Sequence, residues 1–130
     1  MALKIKLTSV PVDDQQKASE FYTNMLGFVK KHDIDMGGPR WLTVAASDNP
    51  DVELLLEPID GFAPAKGYQK ALHDAGIPWT AFEVDDAQKE YERLKELGVK
   101  FKSEPKQMGP TIVAVFEDTC GNLIQIYQMV

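Results

Sequence analysis

The sequence predicts an α+β fold: two tandem βαβββ modules forming a curved mixed sheet around a cavity. Three observations carry this. The hexapeptide Val12-Asp13-Asp14-Gln15-Gln16-Lys17 returns as Val84-Asp85-Asp86-Ala87-Gln88-Lys89, 72 residues later. The repeat stays in step elsewhere: Leu26-Gly27-Phe28 recurs as Leu97-Gly98-Val99, Met36-Gly37-Gly38-Pro39 as Met108-Gly109-Pro110, and Val52-Glu53-Leu54 aligns with Ile124-Gln125-Ile126. The hydrophobic period also switches between strand-like and helix-like in the same order in both halves.

Residues 3–12 alternate and run into Asp13-Asp14, which reads as a strand leading to a helix cap. Over 14–26 the apolar residues Ala18, Phe21, Tyr22, Met25 and Leu26 recur at helical spacing, and Gly27 stands where a left-handed residue ends a helix. Residues 28–34, 40–46 and 52–57 read as three strands, separated by Met36-Gly37-Gly38-Pro39 and by the turn-rich segment 47–51. Module one therefore covers 3–57. Residues 58–78 form a connector, in which Pro64 opens and Gly76 closes a short helix burying Ala65, Tyr68, Leu72 and Ala75. Module two, 79–130, repeats the order with a strand over 79–84, a helix over 86–97 stopped by Gly98, and strands over 99–103, 111–116 and 122–129.

One such module has a helix on one sheet face and leaves the other face uncovered, so two modules create a concave space. Side-chain alternation then assigns faces. If Val10 and Val12 pack under the helix, Ile5, Leu7 and Ser9 turn toward the cavity. Likewise Glu53, Leu55 and Glu57 face inward, as do Trp79, Ala81 and Glu83 in the fifth strand and Leu123, Gln125 and Tyr127 in the last. Over 40–46 the phase is open, because Trp41 and Leu42 are both plausible core residues.

The 130 residues suit one compact domain, and 44% apolar with 26% charged residues is ordinary for a globular protein. Fourteen basic against 20 acidic residues give a formal charge of −6, which argues against nucleic acid and anionic membrane as partners. No run is long enough to cross a bilayer, Cys120 has no second cysteine to pair with, and the N-terminus lacks the apolar core of a signal peptide. The expected location is a reducing cytoplasm. Cys120 has no neighbouring histidine in sequence to activate it as a nucleophile. His32 and His73 read as surface or half-buried residues.

The motif Val12-x-Asp14 seven residues ahead of Phe21-Tyr22, then Leu26-Gly27-Phe28, Glu53 in a late strand, and Asp118-x-x-Gly121-Asn122 before the last strand resemble the vicinal oxygen chelate superfamily. That superfamily holds glyoxalase I, extradiol dioxygenases and bleomycin-resistance proteins. The resemblance implies a ligand set of four side chains around a divalent ion, and carried over by position it falls on Leu7, Glu53, Trp79 and Gln125. Leu7 has no donor atom, and the Trp79 indole N–H donates and does not ligate. Gln125 is a weak neutral ligand, which leaves Glu53 as the one anionic candidate. We therefore expect no metal and no cofactor, and with them no glyoxalase reaction by Lewis-acid stabilisation of an enediolate.

Without an ion the pocket would offer Leu7, Leu55, Trp79, Ala81 and Tyr127 as apolar and aromatic wall, with Ser9, Glu53 and Gln125 as polar points. That mixture suits a small organic molecule with an aromatic or cationic part. Glu53 is the candidate general base if the protein is instead a glyoxalase-like lyase, isomerase or dioxygenase-related enzyme. A third reading is an interaction module that pairs through its sheet edges. The resemblance further implies a homodimer, with modules of two chains completing each cavity.

Overall fold

The computed structural model describes residues 2–130. Module one opens with β1 (Leu7–Val12) and continues through α1 (Gln15–Glu20), whose last turns widen into a π-helical segment over Phe21–Met25. The strands β2 (Val29–Asp35), β3 (Arg40–Ala46) and β4 (Asn49–Pro58) follow, then the connector helix α2 (Ala63–Asp74). Module two contains β5 (Thr80–Glu83), α3 (Ala87–Glu96), β6 (Lys106–Met108), β7 (Thr111–Glu117) and β8 (Leu123–Met129). The repeated aspartates cap equivalent helices. Asp14 accepts a hydrogen bond from the Lys17 backbone N–H and Asp86 from that of Lys89, each at 3.1 Å.

The strands divide into two four-stranded mixed sheets with the same order, β1-β4-β3-β2 and β5-β8-β7-β6, and they close no barrel. In each, the first strand lies parallel to the last and the remaining pairs are antiparallel. The helix-side faces of both sheets contribute to one core, in which Val10, Leu42, Val44 and Leu56 join Leu94, Phe116, Ile124 and Ile126. The phase left open by the sequence in β3 is thereby fixed: Leu42 and Val44 are fully buried, whereas Trp41 is exposed.

The π-helical segment explains how two adjacent aromatics both reach this core. Its wider turn is closed by the Leu26 N–H donating to the Phe21 carbonyl at 3.2 Å. Phe21 then meets Phe116 of the other module at a ring separation of 6.3 Å, and the Tyr22 hydroxyl donates to Asp118 at 2.6 Å. Gly27 ends the helix at φ +84°, as its position predicts.

Three local expectations are corrected. The first strand begins at Leu7, so Ile5 stands in solvent and not in a cavity; only Lys6 still accepts a bond, from the Glu53 N–H at 2.8 Å. Residues 99–103 form a single bridge, Phe101 to Phe116, and β6 begins at Lys106. The Ser103 hydroxyl takes the Val115 N–H, and Pro105 has none to give, which breaks the ladder. In α2 the buried residue is Gln69, while Tyr68 and Ala75 are exposed.

Gln69 is buried because the junction of the modules is polar backbone. Its amide nitrogen reaches the carbonyls of Pro11 and Cys120 and the side-chain oxygen of Asn122, each at 3.1 Å. Asn122 donates in turn to Pro11 O at 2.7 Å, so the connector helix, β1 and the turn before β8 are tied at one point. Satisfying buried backbone groups outweighs the apolar pattern that favoured Tyr68.

Candidate functional site

A cleft of about 570 Å³ lies between the two sheets. Sheet one contributes Thr8, Ala45, Asp48, Val52 and Glu53; sheet two and its following turn contribute Ala81, Phe82, Glu83, Asp85 and Tyr127. Its wall thus carries four carboxylates, Asp48, Glu53, Glu83 and Asp85, and no lysine or arginine lines it among the described residues. Phe28, Phe82 and Tyr127 supply aromatic surface. Such a lining concentrates negative potential in a partly apolar groove.

Of the residues singled out by alternation, Glu53, Ala81, Glu83 and Tyr127 meet at this cleft. Leu7 is the register partner of Glu53, and Ser9 of Leu55, so all three lie on the Glu53 side of sheet one without lining the cleft. Gln125 stands opposite Ala81 in sheet two, also outside the lining. Trp79 goes elsewhere: it packs against the core and meets the Tyr68 ring edge-on at 5.4 Å. Phe82, which alternation puts on the face opposite Ala81, and Phe28 face the cleft as well as each other, with ring centroids 5.2 Å apart.

The residue that the sequence reading missed is His32. Its Nδ1 lies 2.8 Å from Glu53 Oε1 and 3.2 Å from the Thr43 hydroxyl, which itself donates to Glu53 Oε1 at 2.6 Å. A bulge places it there. Lys30 pairs with Val44 but His32 pairs with Thr43, so Lys31 is an extra residue in the β2 ladder. In an unbroken ladder Lys31 would stand opposite Thr43 and the imidazole would leave the face that bears Glu53. Thr43 was hidden for a related reason, since its face depended on the undecided phase of β3.

The Thr43 hydroxyl bond is the largest influence on the Glu53 carboxyl and, with weaker help from His32, holds it below its ordinary range against the opposing effect of burial. Glu53 is thus an ionised, oriented acceptor with Oε1 fully engaged. By contrast the Cys120 thiol is buried and pushed up to about 12 by burial and by Asp118. That environment disfavours the thiolate a nucleophile needs.

The four positions on which the resemblance puts a divalent-ion site carry side chains that do not suit one. Leu7 brings hydrocarbon beside Glu53, Trp79 is turned into packing, and Gln125 is neutral. Among the described residues no group of three or more His, Cys, Asp or Glu side chains is assembled to hold a metal. Among the described residues no helix is long and apolar enough to cross a membrane.

Comparison with known proteins places this geometry. The model of the Glyoxalase/Bleomycin resistance protein/Dioxygenase superfamily matches residues 4–126. An uncharacterized protein of Bacillus subtilis (strain 168), YurT, is 56% identical over 127 residues, spanning 97% of this chain and 99% of that protein. The crystal structure of UcmS2 superposes with a TM-score of 0.85 at 31% identity, covering 98% of each chain. TnmS3, an antibiotic binding protein from Streptomyces sp. CB03234, superposes with a TM-score of 0.77 at 32% identity over 100% of this chain and 99% of its own.

Proposed function

The chain belongs to the glyoxalase/bleomycin resistance protein/dioxygenase superfamily, and from that premise we propose that it binds a small organic cation with aromatic character in a metal-free cleft. The observation that carries this reading is the cleft lining, four carboxylates without a basic side chain beside three aromatic rings. An ammonium or amidinium group gains from such a field, and from the ring faces once it is partly desolvated. Anionic ligands are disfavoured by the same charges. The antibiotic-binding role of TnmS3 supports a sequestering protein over a catalyst.

In this reading the protein acts in the cytoplasm and as a homodimer. Leu7, Ile34 and Trp41 are exposed on the sheet-one face that also bears Glu53, with Ile34 and Trp41 directly paired. A second copy laid over that face would cover apolar surface that a monomer leaves wet.

The test is a melting-temperature screen of organic amines, each paired with its neutral isostere, on protein first assayed for metal content. Cationic aromatic compounds should stabilise and their neutral isosteres should not, with the shift reduced in Glu53→Gln and by added salt. Equal shifts from charged and neutral members, or one equivalent of bound metal per chain, would overturn the reading.

A second reading rests on the His32–Thr43–Glu53 arrangement. A carboxylate that fixes one imidazole nitrogen leaves the other to accept a proton, which is the arrangement of a general base. Under that reading His32, with Glu53 orienting it, removes a proton from a carbon or oxygen acid. Turnover of a substrate that is lost in His32→Gln but retained as tight binding would favour it over sequestration.

A further inference from the structure

Behind the cleft lies a smaller pocket of about 180 Å³, on the helix side of sheet two. Its walls are Phe28, Phe82, Val84, Leu94, Phe116 and Ile126. Glu83, Glu90 and Arg93 frame the mouth, and Arg93 is ion-paired to Glu90 within α3. None of the positions that correspond to the superfamily's ion site lines this pocket, because it faces the core and not the open face of the sheet.

Two facts give it a role. The pocket opens to solvent through its charged mouth, and its volume of about 180 Å³ and apolar walls suit one aromatic ring. It also shares Phe28, Phe82 and Glu83 with the cleft. The edge-to-face pair of Phe28 and Phe82 is therefore a common wall. Glu83 is the one carboxylate that lines both cavities, so an amine held there lies at the mouth of the pocket as well as in the cleft.

We infer that this pocket is a subsite for a single aromatic ring, and that the ligands of the protein are arylalkyl amines, with the ammonium in the cleft and the ring behind Phe28 and Phe82. The inference rests on the cleft reading above and adds a specificity that the cleft alone lacks. A charge-lined groove accepts any amine of suitable size, whereas an apolar-walled pocket rewards burial of the ring. Val84 and Leu26, both half-buried and both lining the pocket, are the positions where a larger side chain would fill it.

The experiment compares 2-phenylethylamine with n-butylamine by calorimetry on the wild type and on Val84→Phe, with Leu26→Phe as a second filled variant and circular dichroism to confirm folding. The wild type should prefer 2-phenylethylamine at least tenfold, and filling the pocket should abolish the preference while leaving n-butylamine affinity unchanged. No preference, or one that survives in both filled variants, overturns the subsite and leaves amine binding in the cleft intact. If neither amine binds, the cleft reading and the arylalkyl-amine assignment fail together. Toluene then isolates the pocket: saturable shifts of the Leu94 and Ile126 methyl resonances, absent in Val84→Phe, sustain a ring site, and their absence removes it.

Discussion

His32 Nδ1 lies 2.8 Å from Glu53 Oε1, across the central strand of its own sheet, because a single extra residue in β2 carries the imidazole onto the face where the carboxylate stands. Glu53 also takes the Thr43 hydroxyl, so one carboxylate oxygen joins three strands. The pair is partly open to solvent, with the imidazole 46% and the carboxylate 25% exposed. Its weight in stability is accordingly small, and its consequence is orientation.

The bulge can be tested directly. Deleting Lys31 should restore an unbroken β2 ladder in which Lys30 still faces Val44 and His32 still faces Thr43. The expected readout is a retained through-space contact between the His32 ring and the Thr43 methyl in NMR spectra, with the fold retained. Loss of that contact would show that the local geometry of the bulge, and not the register beyond it, fixes the ring.

Glu53 is held below the ordinary carboxylate range, first by Thr43 and then by His32. A depressed folded-state pKa contributes stability that is present above the unfolded-state pKa and is lost as pH falls through the folded one. Thr43→Val removes the largest cause, so the Glu53 carboxyl should titrate closer to its ordinary value. Carbon-detected NMR of the side-chain carboxyl across the acid range would measure the upward shift.

Asp118 is the buried counterpart. Its two oxygens accept from the backbone N–H groups of Cys120 and Asn122, the Asn122 amide and the Tyr22 hydroxyl. Burial nevertheless raises its pKa, with the four bonds opposing that effect. A raised folded-state value means that Asp118 erodes stability as pH climbs from the unfolded-state pKa through the folded one. Tyr22→Phe should raise the pKa further and cost about 1.5–3 kcal/mol, the range for a hydrogen bond to a charged group. Urea denaturation should show a larger loss near neutral pH than in acid.

Gly121 and Gln69 are mutually constrained. The glycine sits at φ +101°, and a Cβ there would fall 2.6 Å from the Gln69 side-chain oxygen. Gly121→Ala combines a left-handed backbone cost of about 1–2 kcal/mol with displacement of the amide that ties the modules. A lowered denaturation midpoint is expected. Gln69→Ala in the Gly121→Ala background should cost less than the sum of the two single changes, since it removes the clash.

Cys120 should be inert to thiol reagents in the native state. It is fully buried, with its thiol pushed up to about 12. Reaction with a disulfide dye at neutral pH should follow global unfolding and accelerate only with denaturant. Stoichiometric labelling of native protein would contradict this placement.

Much of the fold was legible because it rests on local chemistry. Asp14 and Asp86 announce their helices by cap chemistry, and Gly27 and Gly98 end them by adopting positive φ. The strand faces followed from alternation wherever one face had enough apolar residues, as at Val10 and Val12 or Ile124 and Ile126. It failed where a polar requirement was stronger than the apolar pattern. Gln69 displaced Tyr68 from the interior, and Ser103 with Pro105 interrupted the expected sixth strand.

By itself the sequence determined the duplicated α+β architecture, the module order and the mismatch of Leu7 and Trp79 to a metal site. The first two follow from periodicity and turn chemistry, and the third from donor chemistry at positions that the resemblance supplies. Only the tertiary structure decided that Trp79 would pack on Tyr68, that His32 would reach Glu53, and that Asp48 and Asp85 would face one cleft. Those outcomes depend on ladder register and on the placement of one sheet against another. A single inserted residue reverses the face of every side chain beyond it, and nothing local to His32 records that reversal.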